Sequence, residues 1–538
     1  MVQSVMGGTS DVFAPGHLGE LTQVVPPELI DAVLEETGAR ERRLRCLPSR
    51  VGVYFVLALG LFEHLGARLV WTKLAAGLTA RVPEPSEKAL RDLRRRIGPA
   101  PVKRLFEVLA GPLAQPSTPG VSYRRWRTVA FDGCSSLIVP DHERNWSWLG
   151  RPASRLGQAG YPRLMLMTLC ETGTRGLIAA AFGPVARGET YYAQQLTSNL
   201  TPDMLLLADR AFHTNDLLAQ AARRGAQFLV RCTSRRHPPT LTLLPDGSYL
   251  TRIAGLTLRV IEAEIRTRTV DGSTFGETYR LLTTLTDHRT DPAHQLVRLY
   301  HERWEIECAY LALRHTLLKG RVLRSKDPAG LTQELWGLLT LYQALRSVMV
   351  TAVETQPGTD PDRAAFIIAL EAARDTIALT AHPTAIPGHD AQADLVGHIG
   401  TRLLHALLPK RRPRTSARVA KRGISRYHTW NRDQRPRGST PIAAIDITVQ
   451  APVLPTAQDP DRKASSPWDR LCQILAAHAN QPMHAHDLAD HMGLTAPQSR
   501  KNLASQLCLW TRHSRLTRTA PNTYKITLPD TLTPAPGP

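Results

Sequence analysis

The chain has 538 residues, with 67 Lys and Arg against 47 Asp and Glu, a formal charge of +20 and a pI near 10.1. That field suits a polyanionic partner, the alternative being a merely soluble basic protein. Its longest apolar candidate, Val51 to Phe62, is broken by glycines and closed by Glu63 and His64, which excludes a membrane span; an N-terminus without a basic then apolar stretch and seven scattered cysteines without Cys-x-x-Cys argue against secretion, a zinc ribbon or a disulfide framework.

Residues 20–116 read as helical: PELIDAVLEET, the apolar VGVYFVLALGLFEHL, VWTKLAAGL and, after a Pro break, SEKALRDLRRRIG, which Ser86 can cap. Arg94, Arg95 and Arg96 on that last helix either enter a DNA groove or form a solvated basic face. From about Ser122 the pattern turns to strands. RTVAFDGCSSLIV, RLMLMTLCE and GLIAAAFGPV are followed by a helical ETYYAQQLTSNL and by the apolar MLLLADRAF, a βββαβ order that sets Asp132 and Asp209 on adjacent strands. A single strand-end Asp can simply cap the next turn. Two in this order, followed by Glu307, point to an RNase-H-like core gathering carboxylates around divalent metals.

Between about residues 228 and 286 the chain stays β-rich, with Tyr249, Phe275 and Tyr279 among its aromatics. The segment LYHERWEIECAYLALRH comes next. Tyr300, Arg303, Glu307 and Arg314 stand at i, i+3, i+7 and i+14, within roughly a 60° arc of one helix face. Such a stripe is also what a solvated face with an Arg303–Glu307 pair looks like. Trp304 is a candidate for base stacking or for the core. Long amphipathic helices follow, LTQELWGLLTLYQALRSVMVTAV and RAAFIIALEAARDTI. An arm at about 410–437 then holds eleven Lys or Arg and one acid, with Tyr427, His428 and Trp430 interleaved, and is either a phosphate-neutralising arm or a solvated tail. After a Pro-rich linker at 441–466, residues 467–530 read as three helices and a hairpin, an arrangement that resembles a winged helix. Arg500, Lys501 and Arg512 charge its third helix. Its histidines, His478, His484, His486, His491 and His513, lack cysteines at zinc-ligand spacing.

Tyr300-x-x-Arg303-x-x-x-Glu307, with Trp304 and Ile306 between, resembles the Tyr-Arg-Glu-Lys signature of bacterial insertion-sequence DDE transposases; ADRAF around Asp209 and AFDG around Asp132 look like that family's aspartate motifs. VVPPELIDAVLEETGARERRLRCLPSRVGVYFVLALGLF is similar to the helical N-terminal domain of the insertion element four group. The likeness covers roughly residues 20 to 440, with one departure: the family's lysine is Arg314 here, which keeps the charge and grips phosphate as a planar fork.

The resemblance implies an α/β fold with an RNase-H-like core at 122–440, interrupted by the β-strand insertion and flanked by the helical N-terminal domain and the winged-helix-like module. It implies that Asp132, Asp209 and Glu307 hold two Mg2+, with Mn2+ as a substitute, while Tyr300, Arg303 and Arg314 position phosphates of the terminal inverted repeats, and that an aromatic of the insertion, Tyr249, Phe275 or Tyr279, can stack on a flipped base. It further implies double-stranded DNA, as element ends and as target, for partners, a homodimer on paired ends, a cytoplasmic nucleoid setting, and excision by nicking, hairpin formation, resolution and strand transfer. A nonenzymatic DNA-binding regulator and another RNase-H-like nuclease are the two rival readings. The first leaves the three acids without a task, and the second leaves the Tyr-Arg-Glu stripe unexplained.

Overall fold

The computed structural model describes residues 17–43, 45–76, 84–151, 153–154, 157–158, 160–233, 236–270, 272–379, 391–410, 442–451, 467–478, 480–512 and 516–526. The chain forms two units, residues 1–452 and 453–538. The expected basic arm at 410–437 falls almost wholly outside the described residues, as do most of the linker and His513.

The larger unit is mixed α/β around one large mixed sheet. Strands β1 (Trp126–Ile138), β2 (Arg163–Glu171) and β3 (Leu177–Pro184) form an antiparallel meander. Helix α1 of this core (Glu189–Leu196) leads to β4 (Met204–Ala208), which pairs in parallel with β1. Helix α2 (Asn215–Arg223) leads to β5 (Gln227–Arg231), parallel to β4. The sheet order is therefore β3-β2-β1-β4-β5. These strands read as near-continuous apolar runs because both faces are covered, as parallel strands require. Ala130, Leu205, Leu207 and Leu229 point into one core, while Val129, Phe131, Leu206, Ala208 and Phe228 point into the other.

The β-rich stretch divides differently from its sequence pattern. Its first run, β5, belongs with the parallel strands. Added strands begin after it: β6 (Tyr249–Ile253), β7 (Leu256–Thr269) and β8 (Thr274–Thr283) extend the same sheet, β8 pairing antiparallel with β5. The start of the expected linker is also a strand. β9 (Ile442–Val449) pairs antiparallel with β7, because IAAIDITV carries enough β-branched residues to satisfy an open strand edge.

The first core includes the N-terminal helices. The helix Ser49–Leu61 is buried along nearly its whole length, as its apolar sequence demands. At Gly52 a Cβ would lie 2.1 Å from Ile97 Cδ1, so the helix Glu87–Ile97 crosses close against it. Ser86 Oγ accepts from Ala89 N–H at 3.2 Å and caps that second helix. Arg94 is taken up inside the unit, donating to Gln333 and Ser325 at 3.0 Å each. Gln333 lies on α3 (Pro328–Glu354), a long helix capped by Asp327 and packed on the N-terminal helices. Among the described residues no helix is long and apolar enough to cross a membrane.

A buried ion network ties this layer to the sheet. Arg175, on the β2–β3 turn with φ +63°, donates to Glu305 at 2.7 Å and pairs with Asp362. The Tyr342 hydroxyl on α3 donates to the Arg175 carbonyl at 2.8 Å.

The smaller unit has helices Pro467–Ala477, Ala485–His491 and Pro497–Arg512, then a hairpin of Leu516–Ala520 and Thr523–Ile526 that Met483–His484 joins as a third strand. Leu471, Leu475, Leu488, Leu503, Leu507 and Tyr524 form its core. Arg500 is engaged internally, with Asp490 and the Leu494 carbonyl; Lys501 is exposed, and the Arg512 side chain lies outside the described residues.

Arg175→Met should lower the stability of the larger unit by about 3–5 kcal/mol, since it removes the buried guanidinium that Glu305 and Asp362 share. Urea unfolding followed by tryptophan fluorescence measures this, and an unchanged midpoint would contradict it.

Candidate active site

The register of β1 against β4 pairs Ala130 with Leu207. Two residues further along each strand stand Asp132 and Asp209, level with one another on neighbouring segments. Asp209 directly follows β4 and starts the tight turn Arg210–Phe212, its Oδ1 accepting from Arg210 N–H at 2.7 Å. It thus serves as a turn cap too, and its other oxygen faces Arg303. Asp132 Oδ1 accepts from the Gly133 N–H at 2.9 Å.

Glu307 comes from α4 (Glu305–Leu311). One turn on, the Tyr310 hydroxyl donates to the Asp132 carbonyl at 2.5 Å and shares a hydrogen bond with Thr168 at 2.9 Å. Tyr310 therefore fixes the glutamate helix to β1 and β2. It was missed from sequence, although its place one turn beyond Glu307 on the same helix was the available signal.

The Tyr300–Arg314 stripe does not lie on one regular helix. A helix Ala293–Tyr300 gives way to a 3-10 turn, His301–Trp304, then to α4, then to a π turn, Ala312–Leu317. The 100° step behind the expected arc fails across both irregular turns, one overwound and one underwound. Arg303 and Glu307 still meet at 3.2 Å, and the same guanidinium is 4.0 Å from Asp209. Tyr300 is buried edge-on to Tyr279, ring centres 5.5 Å apart, and its hydroxyl has no partner among the described residues. Arg314 lies half-buried on the π turn, without an ion pair among the described residues. Trp304 sits in the 3-10 turn, its side chain outside the described residues.

Of the aromatics considered for stacking, Tyr249 is buried with its hydroxyl on Glu262 at 3.0 Å, and Tyr279 packs on Tyr300 beneath Arg231. Neither stands free for a base, because both fill the seam between the added strands and the core. The Phe275 side chain lies outside the described residues.

Charge is out of balance here. Burial, opposed by Arg303 and reinforced by Glu307 and Glu189, pushes the Asp132 carboxyl up to about 7. Burial works against the Arg303 charge, yet Tyr300, Asp209, Asp132 and Glu307 together raise its pKa. Glu189 was also missed: it opens α1, and burial and then Asp209 raise its pKa.

An all-carboxylate donor set suits a hard divalent cation such as Mg2+ or Mn2+. The buried guanidinium of Arg303, drawn toward Asp209 and Glu307, stands where positive charge is needed. Among the described residues the only His, Cys, Asp or Glu group with ligand atoms all within 4.8 Å of one another is His486, Asp487 and Asp490, fully on the surface. The three core acids are thus spread wider than that, with Arg303 among them.

The family described as "Insertion element 4 transposase N-terminal" matches residues 15–107, and "Transposase DDE domain" matches residues 135–343, a span that holds Asp209 and Glu307 and begins just after Asp132. The chain is similar to the transposase InsG for insertion sequence element IS4 of Escherichia coli (strain K12), 27% identical over 357 residues, covering 65% of this chain and 80% of that protein. It also has a loose likeness, TM-score 0.35 and 11% identity over 76% of this chain and 88% of the other, to the piggyBac transposase in a synaptic complex with hairpin DNA.

Asp132 also yields a pH dependence. Its folded pKa, about 7, lies above the ordinary 3.8, so its ionisation costs stability as pH rises between those values. Asp132→Asn should therefore raise the thermal midpoint in EDTA at pH 8, with the gain vanishing toward pH 4. Equal midpoints at pH 8 would refute this.

Proposed function

The chain belongs to the insertion element 4 family of DDE transposases, and from that premise we propose that Asp132, Asp209 and Glu307 are the metal-binding carboxylates of its DNA-cutting and DNA-joining site. The observation that carries this reading is the single buried guanidinium of Arg303 set between Glu307 and Asp209, with Asp132 in the same field. Three acids from two strands and a helix, gathered in a strongly basic chain, serve no packing purpose that apolar residues would not serve better.

Two Mg2+ held there would activate the attacking oxygen and neutralise the leaving one. The protein's own residues do the rest. Tyr310 and Thr168 hold Asp132 and the glutamate helix in register. Arg303 keeps the Glu307 carboxylate oriented. Arg314, on the π turn, is the group best able to take a phosphate of the terminal inverted repeat, bidentately as an arginine can. Tyr300 keeps its buried hydroxyl near Arg303 and Asp209, and Trp304 remains the candidate to stack on a displaced base.

The strand order β3-β2-β1-β4-β5, with its last two strands parallel, supports an RNase-H-like core. Helices followed by a hairpin support a winged-helix-like role in DNA binding for residues 467–530, while 20–116 serves as the helical N-terminal domain. On this reading the protein cuts the inverted repeats of its own element and joins them to target DNA, acting as a homodimer on paired ends.

Purified protein with DNA carrying the flanks of its own gene should break both repeat ends in Mg2+ and not in EDTA. Glu307→Gln should reduce the cleavage rate by at least about a thousandfold, while end binding in a mobility-shift assay stays within a few-fold of wild type. Cleavage surviving in Glu307→Gln would sink the site assignment; specific binding without breaks in either protein would favour the DNA-binding regulator.

A further inference from the structure

Glu189 has no role in the three-acid scheme, yet its placement is specific. It opens α1, the helix that covers the face of the sheet opposite α4. Asp132 and Gly133 are successive residues of β1, so their outward directions alternate, Asp132 toward α4 and Gly133 toward α1. At Gly133 an added Cβ would lie 2.7 Å from Glu189 Cγ and 2.9 Å from both its carboxyl carbon and Oε1. The absent side chain is the gap through which a carboxylate from the far layer lies against the strand beside Asp132.

Among the described residues nothing donates a hydrogen bond to Glu189 and no cation pairs with it. Its charge is felt by Asp132 and Asp209, while the Arg303 guanidinium is shared among Asp132, Asp209 and Glu307. A second observation points to a missing ligand: the Tyr300 hydroxyl, on a side chain 4% exposed, has no hydrogen-bond partner among the described residues and lies in the field of Arg303 and Asp209.

We propose that Glu189 is a fourth carboxylate of the divalent-cation site, reaching it over Gly133 from the opposite side of the sheet. The inference rests on the proposed reading of Asp132, Asp209 and Glu307. A first-turn glutamate can also serve only to favour its helix N-terminus. That bland role needs no glycine at 133, and it predicts that removing the charge destabilises the fold.

The test titrates Mn2+ alone into metal-free full-length protein without DNA, reading free Mn2+ by electron paramagnetic resonance, with melting in EDTA in parallel. The exposed His486, Asp487 and Asp490 group contributes the same background to every variant. Glu189→Gln should weaken binding about tenfold, with a melting midpoint in EDTA equal to or above wild type. Gly133→Ala, which keeps the charge and closes the gap, should weaken binding in the same direction. Glu307→Gln serves as the control for the site itself. Unchanged Mn2+ binding in both Glu189→Gln and Gly133→Ala, with Glu307→Gln weakened, would overturn the role of Glu189 alone. Unchanged binding in all three would overturn the site reading with it. A lower midpoint for Glu189→Gln together with unchanged binding assigns Glu189 to its helix and also overturns the proposal.

Discussion

The position of Glu307 depends on a guanidinium that never touches it. Arg175 projects from the β2–β3 turn into a buried space and ties down Glu305, two residues before Glu307, together with Asp362. A charge network in such a place is weak evidence for stability, because desolvation offsets much of the attraction. Its value lies in geometry. An apolar contact would let α4 slide along the sheet, whereas a bonded guanidinium sets its register. Tyr310 then completes the lock from the far side, bonding the Asp132 carbonyl. The acid on the helix and the acid on the strand are thereby held by two separate polar clamps.

Between those clamps the site is short of positive charge. Among the described residues Arg303 is the one cation within 4 Å of two of the acids, Asp209 and Glu307, and the resulting field raises Asp132 while keeping Arg303 firmly charged. Such strain is typical of a functional constellation, since a fold selected only for stability would have protonated or replaced these groups. The irregular turns on either side of α4 fit the same view: eleven residues apart, Arg303 and Arg314 would share one face of a regular helix, yet Arg303 is buried while Arg314 is only half-buried on the π turn.

Much of this was readable before any fold was known. MLLLAD and TVAFD announce buried apolar strand runs that stop at an acid, although the strand holding Asp132 continues to Ile138; strands covered on both faces lose polar alternation. Arg303 and Glu307 advertise their contact by i,i+4 spacing, which survived the break in the helix. Glu189 was silent, since one glutamate at the start of a polar helix looks like any first-turn acid. Its only trace was the glycine after Asp132, far away in sequence. The strand Ile442–Val449 was hidden for a different reason: a short alternating run beside a Pro-rich stretch looks like linker until a partner edge exists.

Local chemistry along the chain thus determined the core strands, where their apolar runs stop and which acids and arginines stand at those stops, because these depend on neighbours a few residues apart. Only the tertiary structure decided that Tyr249 and Tyr279 are spent on packing, that Arg94 is engaged on α3 and that Glu189 lies over Gly133. Each of those outcomes is a competition for one side chain among distant partners. Such competitions are settled by burial and by the absence of a single Cβ, neither of which has a period that a sequence can display.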